Sequence, residues 1–413
     1  MAKAQHITGI DIGSTTTRVI IGQQDTESGQ FSVVGLGSAP TAGVQKGIIS
    51  DVDEAVGSLT RALDAAERMA GVPVEHAYVS INGSHIESQN SRGVIAVSRA
   101  DGEITSDDVD RVINAAQAIS LPANREILHV LPQDYIVDGQ EHIHDPVGMT
   151  GVRLEVEAHI IEGSAPFIKN LTKVVNQAGV HIEDFVFAPL AAATAVLDKR
   201  QKELGVVLVD LGGGTTSLAI FEEKILLHTG VLPVGASHIT NDIAIGLRTS
   251  IDVAEAIKIE HGTALPEEVK ASEEITIEAD GDEQDAVSRH EVANIIGARL
   301  EELFAFVDKE LKAIGRSGLL PGGVVLTGAG AQMPGIIEVA KKRLRLPVRI
   351  GQPNSSIVGV VGDVQDPSYA TAAGLLLWAS EQERIVSPRG GIAVPNIGNS
   401  VQKVRDWMKT FLP

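Results

Sequence analysis

Two aspartates occupy the same place in two similar segments. Asp11-Ile12-Gly13-Ser14-Thr15-Thr16 and Asp210-Leu211-Gly212-Gly213-Gly214-Thr215 each leave an apolar strand and enter small and hydroxyl residues. A tight hairpin of that composition turns successive backbone N–H groups into one concavity that suits phosphate oxygens. Glycine lets the backbone come close to such a ligand. The hydroxyls of Ser14, Thr15, Thr16 and Thr215 add donors. Asp11 and Asp210, at strand ends, are placed to hold the waters of a magnesium ion, which keeps several waters and takes few direct carboxylates. Arg18, on the strand leaving the first turn, adds a fixed positive charge. Two such hairpins facing each other would clamp a polyphosphate. One alone is more often an ordinary turn, so the argument rests on the set.

A third glycine turn joins that set. Residues 326–335 (LTGAGAQMPG) read as a strand feeding a turn into a helix, where Gly328, Ala329, Gly330 and Met333 can approach a flat base or ribose. Glu255 and Lys258 share a helical face at i, i+3. A surface ion pair explains those two equally well.

Strands and helices must present these groups. Residues 6–11 and 18–22 read as a hairpin, 31–36 as a third strand and 77–81 as a fourth. Residues 53–70 carry Val56, Leu59, Leu63, Ala66 and Met69 at helical spacing, with acids in the first turn. The stretch from 84 to 163 reads as a compact α+β insert. It has strands near 93–98, 126–137 and 152–161, and a helix near 106–119 opened by Thr105 and Ser106. A helix at 166–178, a strand at 181–187 and a small-residue helix at 189–197 precede the second hairpin, 205–210 with 217–221. The repeat of strand, Asp and turn at half-chain spacing implies two related domains. Residues 228–307 read as a second insert. It holds a helix at 253–261 and, over 267–285, nine acids against one lysine, expected as a solvated loop or hairpin. A helix at 289–314, a strand at 323–327 and a helix at 368–380 complete the core, and a Gly/Pro linker follows. The expected divisions are a first core (1–83 with 163–197 and 366–384), its insert (84–162), a second core (198–227 with 308–365), its insert (228–307), a linker (385–398) and a terminal helix (399–413).

Composition narrows the function. The 413 residues carry 34 Lys plus Arg against 54 Asp plus Glu, a formal net charge of −20. That balance argues against a general nucleic-acid binder, which needs a basic footprint. The absence of cysteine excludes disulfides, thiolate zinc sites and a cysteine nucleophile. The N-terminus has no apolar signal core, so a cytosolic chain is expected. His142-Ile-His144-Asp145 lacks a third ligand pattern and reads as an exposed loop. No Gly-x-Ser-x-Gly elbow occurs.

DIGSTTTR at Asp11, DLGGGTTS at Asp210 and TGAGAQMPG at Thr327 resemble the phosphate-1, phosphate-2 and adenosine motifs of the actin/Hsp70/sugar-kinase ATPases. FAPLAAATAVL at Phe187 and DPSYATAAGLLL at Asp366 resemble that superfamily's two connector helices, and AEAIKIEHG the adenine-side helix of bacterial actins. SINGSHIESQNSRGVIAV from Ser80 and EVEAHIIEG resemble the borders of the small insert found in the FtsA family of cell-division actins. The resemblance implies an α/β, two-lobed actin-like fold with duplicated RNase H-like cores and an SHS2-type insert in the first lobe. It implies ATP with Mg2+ as ligand, filaments of the chain itself, and binding of the FtsZ C-terminal peptide through residues 228–307. It also implies other division-ring partners and a place at the division septum. One departure matters. The chaperone and cell-shape branches open the first connector with Glu-Pro, and that Glu helps place the attacking water; here the residue is Ala188. ATP binding with at most slow hydrolysis is therefore expected.

The last segment, NSVQKVRDWMKTFLP, has its own pattern. Val401, Val404, Trp407, Met408, Phe411 and Leu412 fall within an arc of roughly 140° at helical spacing. Lys403, Arg405 and Lys409 flank that arc or lie beside it. A helix of this kind docks on a protein or lies in a membrane interface. The linker before it, and its basic charge on an acidic chain, favour an anchor for anionic phospholipid on the cytoplasmic face of the membrane. Six partly buried side chains at up to ~1.5–3 kcal/mol each and about 1 kcal/mol per cation must offset helix ordering. A lone copy is then a weak anchor, and a polymer multiplies it. Two rival readings remain at this stage. A PilM-like scaffold of type IV pilus assembly would share the insert without the terminal helix. A sugar- or acetate-kinase-type phosphotransferase would need a further carboxylate base beyond Asp11 and Asp210.

Overall fold

A computed structural model of the chain describes residues 6–25, 31–118, 121–278, 284–354, 357–359 and 362–386. The chain opens with an antiparallel meander, β1 (His6–Ile12), β2 (Thr16–Gln24) and β3 (Phe31–Pro40). A small hairpin, β4 (Val44–Gln45) and β5 (Ile48–Ile49), leads to α1 (Val52–Ala70). The side chain of Asp51 accepts the Glu54 N–H at the start of α1, and Gly71 ends it at φ 71°. The stripe Ala55, Leu59, Ala62, Leu63 and Ala66 is buried in the first core. β6 (His76–Ile81) then pairs parallel to β1.

The insert comprises β7 (Glu87–Ala96), α2 (Ser106–Gln117), β8 (Arg125–Val137), β9 (Gln140–Ile143) and β10 (Arg153–Ser164), in the sheet order β7-β10-β8-β9. It has its own core around Val112, Ile113, Tyr135, Val156 and Ile160. α3 (Ala165–Gln177) and β11 (His181–Phe187) complete the first lobe, and α4 (Ala188–Val196) crosses out of it.

The second lobe repeats the first. α5 (Lys199–Leu204) precedes the meander β12 (Val206–Leu211), β13 (Thr216–Glu222) and β14 (Ile225–Leu232). There follow α6 (Ala236–Leu247), α7 (Ile251–His261), the hairpin β15 (Glu274–Glu278) with β16 (Gln284–Ser288), and α8 (Arg289–Ala313). β17 (Gly323–Thr327), α9 (Ile336–Leu344) and β18 (Val348–Ile350) close this lobe. β19 (Ile357–Gly359) returns to the first sheet, and α10 (Ala370–Val386) packs on α4. The sheet orders are β11-β6-β1-β2-β3-β19 and β14-β13-β12-β17-β18. In each, an antiparallel meander is extended on one side by two parallel strands, so Asp11 and Asp210 stand on equivalent strands of a duplicated fold.

Several elements depart from the sequence reading. β14 was not anticipated, because His228-Thr229-Gly230 interrupts its apolar run. α5 has no apolar periodicity; a capping box between Asp198 and Gln201 holds it. His142 lies in the edge strand β9 rather than a loop. α10 continues past residue 380 through Val386, over residues expected as linker. β14 and α8 cross the divisions expected at 227/228 and 307/308. Residues 399–413 lie outside the described residues. Among the described residues, no helix is long and apolar enough to cross a membrane.

Candidate nucleotide site

The two aspartate turns have the same local bond. The Gly13 N–H donates to the Thr16 carbonyl at 3.2 Å, and the Gly212 N–H to the Thr215 carbonyl at 3.0 Å. The second turn is further fixed by α6, whose Ala236 and Ser237 N–H groups donate to the Gly212 and Gly213 carbonyls, each at 2.9 Å. The turns face each other across one cavity. Its lining includes Asp11, Gly13, Ser14, Thr15, Thr16, Arg18, Asp210, Gly212, Gly213, Gly214, Thr215, Gly328 and Ala329. The turns touch: a Cβ on Gly213 would lie 2.4 Å from Thr15 Cγ2, and one on Gly214 2.6 Å from Ser14 Oγ. Glycine is therefore required where the turns meet, since a side chain at 213 or 214 would collide with the first turn.

Asp11 and Asp210 are fixed by hydroxyls. Ser80 donates to Asp11 Oδ1 at 2.6 Å, and Thr371 to Asp210 Oδ2 at 3.4 Å. Burial raises the Asp11 carboxyl above its usual range, against the Ser80 hydrogen bond and the Arg18 charge. Burial and the neighbouring Asp11 charge push Asp210 up to about 7. Two carboxylates driven up by a shared dry site are stabilised by a cation between them. The Arg18 Nε is buried with no hydrogen-bond partner, and the guanidinium lies 5.3 Å from the Tyr369 ring centroid. An orphaned donor, a backbone cradle and a carboxylate pair together fit a magnesium polyphosphate. Gly328, at φ 82°, brings the third glycine turn against this pair; a Cβ there would lie 2.4 Å from Asp210 Oδ1. Ala188, at the head of α4, lines the same cavity, and the only carboxylates lining it among the described residues are Asp11 and Asp210.

The sequence is similar to proteins of known role. Residues 207–374 match a family described as cell division protein FtsA, and residues 83–162 match the SHS2 domain inserted in FtsA. The cell division protein FtsA of Pseudomonas aeruginosa is 40% identical over 378 residues, covering 91% of this chain and 90% of that protein. That of Bacillus subtilis is 43% identical over 388 residues (94% and 86%), and that of Escherichia coli 33% over 415 (98% and 97%). This chain belongs to the FtsA family. Its role is therefore in cell division. Solved structures agree on the fold. A PilM–PilN type IV pilus biogenesis complex aligns with TM-score 0.66 at 14% identity, covering 91% of this chain and 98% of that one. MreB5 of Spiroplasma citri bound to ADP aligns with TM-score 0.54 at 14% identity, covering 92% and 98%. The likeness to PilM is thus one of fold, while the sequence relatives are FtsA proteins.

Within this FtsA-family chain, the predicted residues fall into three groups. Those of the three glycine turns converge on the cavity, except that Gly330 packs on Leu211, where a Cβ would lie 2.5 Å from Leu211 Cγ. Met333 lines a neighbouring depression of about 610 Å³ with Gln332, Ile336, Ile350 and Asp366. Glu255 and Lys258 pair with each other on α7 at 2.6 Å, and Lys258 also donates to Thr240 on α6 at 2.9 Å; neither lines the phosphate cavity. Val401, Val404, Arg405, Trp407, Met408, Lys409, Phe411 and Leu412 lie outside the described residues. Sequence reasoning missed Ser80, Asn82, Ser217 and Thr371. The signal for the first two was available, since Ser80 and Asn82 end a parallel strand beside β1, and ligands gather beyond the carboxyl ends of such strands.

Proposed function

We propose that this chain binds Mg-ATP between its two aspartate turns and assembles into filaments on anionic phospholipid. Through these it ties FtsZ, by its C-terminal peptide, to the cytoplasmic face of the membrane at the division septum, alongside other division proteins. The observation that carries the nucleotide part is the convergence of Asp11, Asp210, Arg18 and two bare glycine turns on one cavity. The N–H groups of the turns and the hydroxyls of Ser14, Thr15 and Thr215 take the phosphates. Gly328 and Ala329 offer backbone to the adenosine, with Met333, Glu255 and Lys258 as its outer neighbours. Asp11 and Asp210 hold magnesium through its waters, and the ion when bound supplies neutralising charge to the phosphate oxygens. With the Ala188 methyl where a base would stand, no further carboxylate among the described residues lines the cavity to draw a proton from water, so turnover is slow. Family membership and the basic amphipathic pattern of 399–413 support the tether.

The test is co-sedimentation of the full chain, and of a chain ending at Asn399, with phosphatidylglycerol-containing liposomes and FtsZ filaments, with and without Mg-ATP. The full chain should carry FtsZ into the lipid pellet, more so with Mg-ATP, and the truncated chain should leave it in solution. Equal pelleting by both chains would refute the tether.

A further inference from the structure

Between the first lobe's meander and α1 the chain makes a short detour, residues 41–49, that lies along the phosphate turns. The Thr41 N–H donates to the Thr15 carbonyl at 3.0 Å, and the Gly47 N–H to the Ser14 hydroxyl at 2.9 Å. The Lys46 carbonyl accepts the Ser84 N–H at 3.3 Å. On the side of the second lobe, a Cβ on Gly214 would lie 3.1 Å from the Lys46 Cα. The detour is a strap pinned across both turns, with Lys46 at its tip and Gly47 in the wall of the cavity.

The tip holds an unusual backbone. Gln45 pairs with Ile48, which leaves Lys46 and Gly47 as a two-residue loop. Both have positive φ, 50° and 74°, the pattern of a type I′ turn. Gly47 is required twice over, by its φ and because a Cβ there would lie 2.6 Å from the Gly83 Cα. Asparagine, aspartate or glycine usually opens such a loop, and this chain has lysine. A long side chain held at positive φ is uncommon, and such positions gather at ligand sites. The Lys46 side chain is exposed, and among the described residues its ammonium has no ion pair. The β13–β14 hairpin gives the comparison. Glu223 and Lys224 form the same kind of loop, at φ 52° and 66°, but Lys224 lies 3.9 Å from the Glu203 carboxylate. That loop stands at the end of the sheet away from Asp210, because Val206 at the start of β12 pairs with Phe221.

Charge in the cavity is unbalanced. Among the described residues Arg18 is the only cation in its lining, against the carboxyls of Asp11 and Asp210. A magnesium triphosphate is itself an anion, so it would enter a site short of positive charge. An ammonium on a long flexible stem can supply that charge from the rim. The strap's place also indicates which phosphate it meets. Gly328 of the third glycine turn packs on Asp210 and Leu211, whereas the strap packs on Ser14, Gly83 and Gly214. It therefore stands over the end of the phosphate chain away from the base.

We propose that Lys46 is a phosphate-binding residue carried over the cleft by this strap, its ammonium meeting the outermost phosphate of a nucleoside triphosphate, so that the chain favours ATP over ADP. The proposal rests on the reading of the cavity as an ATP site and assigns that site a residue outside its glycine turns.

The test compares the full chain with K46N, which removes the ammonium while giving the loop a residue it favours, and with K46R, which keeps the charge. K224N makes the same exchange in the matching loop and is the control. ATP and ADP affinities are measured with magnesium by displacement of a fluorescent analogue, and melting temperatures on the same samples. K46N should lose at least about tenfold in ATP affinity, the low end for a hydrogen bond to a charged group. Its ADP affinity should stay within about twofold, and it should melt no lower than the unaltered chain. K46R should keep the preference for ATP, and K224N should match the unaltered chain. Equal losses of ATP and ADP affinity in K46N would overturn the contact with the outermost phosphate. ATP affinity in K46N within about twofold of the unaltered value, or K46R as weak as K46N, would overturn the role of the charge. No binding of either nucleotide by the unaltered chain would overturn the site reading and the proposal together.

Discussion

The crossing of α4 and α10 provides a direct test of how the two lobes are joined. Both helices are built from small buried residues at the crossing, Ala191, Ala192 and Ala195 on one side and Ala372 and Ala373 on the other. Gly374 makes the contact possible: a Cβ there would lie 1.8 Å from the Ala191 carbonyl oxygen and 2.3 Å from its carbon. Ordinary contact begins at 3.4 Å, so Gly374→Ala must part the helices by 3.4 − 1.8, about 1.6 Å. Helix propensity alone would make this substitution stabilising by about 1 kcal/mol. The clash is with backbone and cannot be relieved by a rotamer, which places it at the upper end of overpacking costs, about 3 kcal/mol. The net expectation is about 2 kcal/mol of destabilisation. Gly57→Ala in α1 is the matched control, because the nearest atom is the mobile end of Arg61 at 3.6 Å, and it should stabilise by up to about 1 kcal/mol. The two variants should thus lie about 3 kcal/mol apart in urea unfolding compared at equal m. ATP affinity should fall only in Gly374→Ala, since α4 and α10 carry Ala188 and Thr371 into the cavity. A Gly374→Ala chain that unfolds at or above the midpoint of Gly57→Ala would refute the close crossing.

Three further outcomes follow from the same geometry. Gly213→Ala fills the phosphate concavity against the end of the Thr15 side chain, so ATP affinity in fluorescent-analogue titrations should drop at least about tenfold, some 1.4 kcal/mol, with little change in melting temperature. Ala188→Glu places a carboxylate at the cavity wall, and phosphate release should rise about a hundredfold, the low end of what a positioned base contributes; an unchanged rate would remove Ala188 as the cause of slow turnover. Asp108 is fully buried in the insert, and burial alone would raise its carboxyl, yet hydrogen bonds from Ser98 and Thr105 carry it well below the usual carboxylate range. Its stabilisation is therefore complete above the unfolded value of about 3.8 and is lost as pH falls below it, so Asp108→Asn should lower the insert's resistance to urea at pH 7 by about 1.5–3 kcal/mol, the worth of hydrogen bonds to a charged group, and by clearly less at pH 3.

The phosphate turns were legible because they are made by backbone. Asp-x-Gly followed by small residues specifies a hairpin almost by itself, and its duplication at half-chain spacing locates both halves of the cavity. What the sequence could not display is the set of hydroxyls and amides brought in from elsewhere. Ser80 and Thr371 reach the aspartates from β6 and α10, and only the parallel pairing of β6 with β1 and the α4–α10 crossing give them that position. β14 was illegible for a related reason. An edge strand with its middle residues polar looks like a loop until the partner that covers it is known, and here the partner is an insert far away in the chain. Glu255 and Lys258 were legible as neighbours on one helical face, and the structure pairs them with each other and with Thr240 of α6, a partner that spacing alone could not supply.

The duplicated fold gives the two meanders different outer edges. In each lobe the aspartate strand is central, flanked by parallel strands on one side and the meander on the other. The parallel side of the first lobe is backed by α3 and α4, and its outer pairing, β11 with β6, runs along both strands. On the meander side, β3 of the first lobe is extended by β19, while among the described residues β14 of the second has no strand beyond it. Its open edge is met by the insert through hydrogen bonds from Ser88, Gln133 and His159 and through the first core, which buries Leu226 with Leu131 and Ile161. Each of those hydrogen bonds is individually worth about a kilocalorie, and the burial of Leu226 adds to them. Among the described residues the duplication thus leaves the second meander's edge without a further strand, and the insert packs over it.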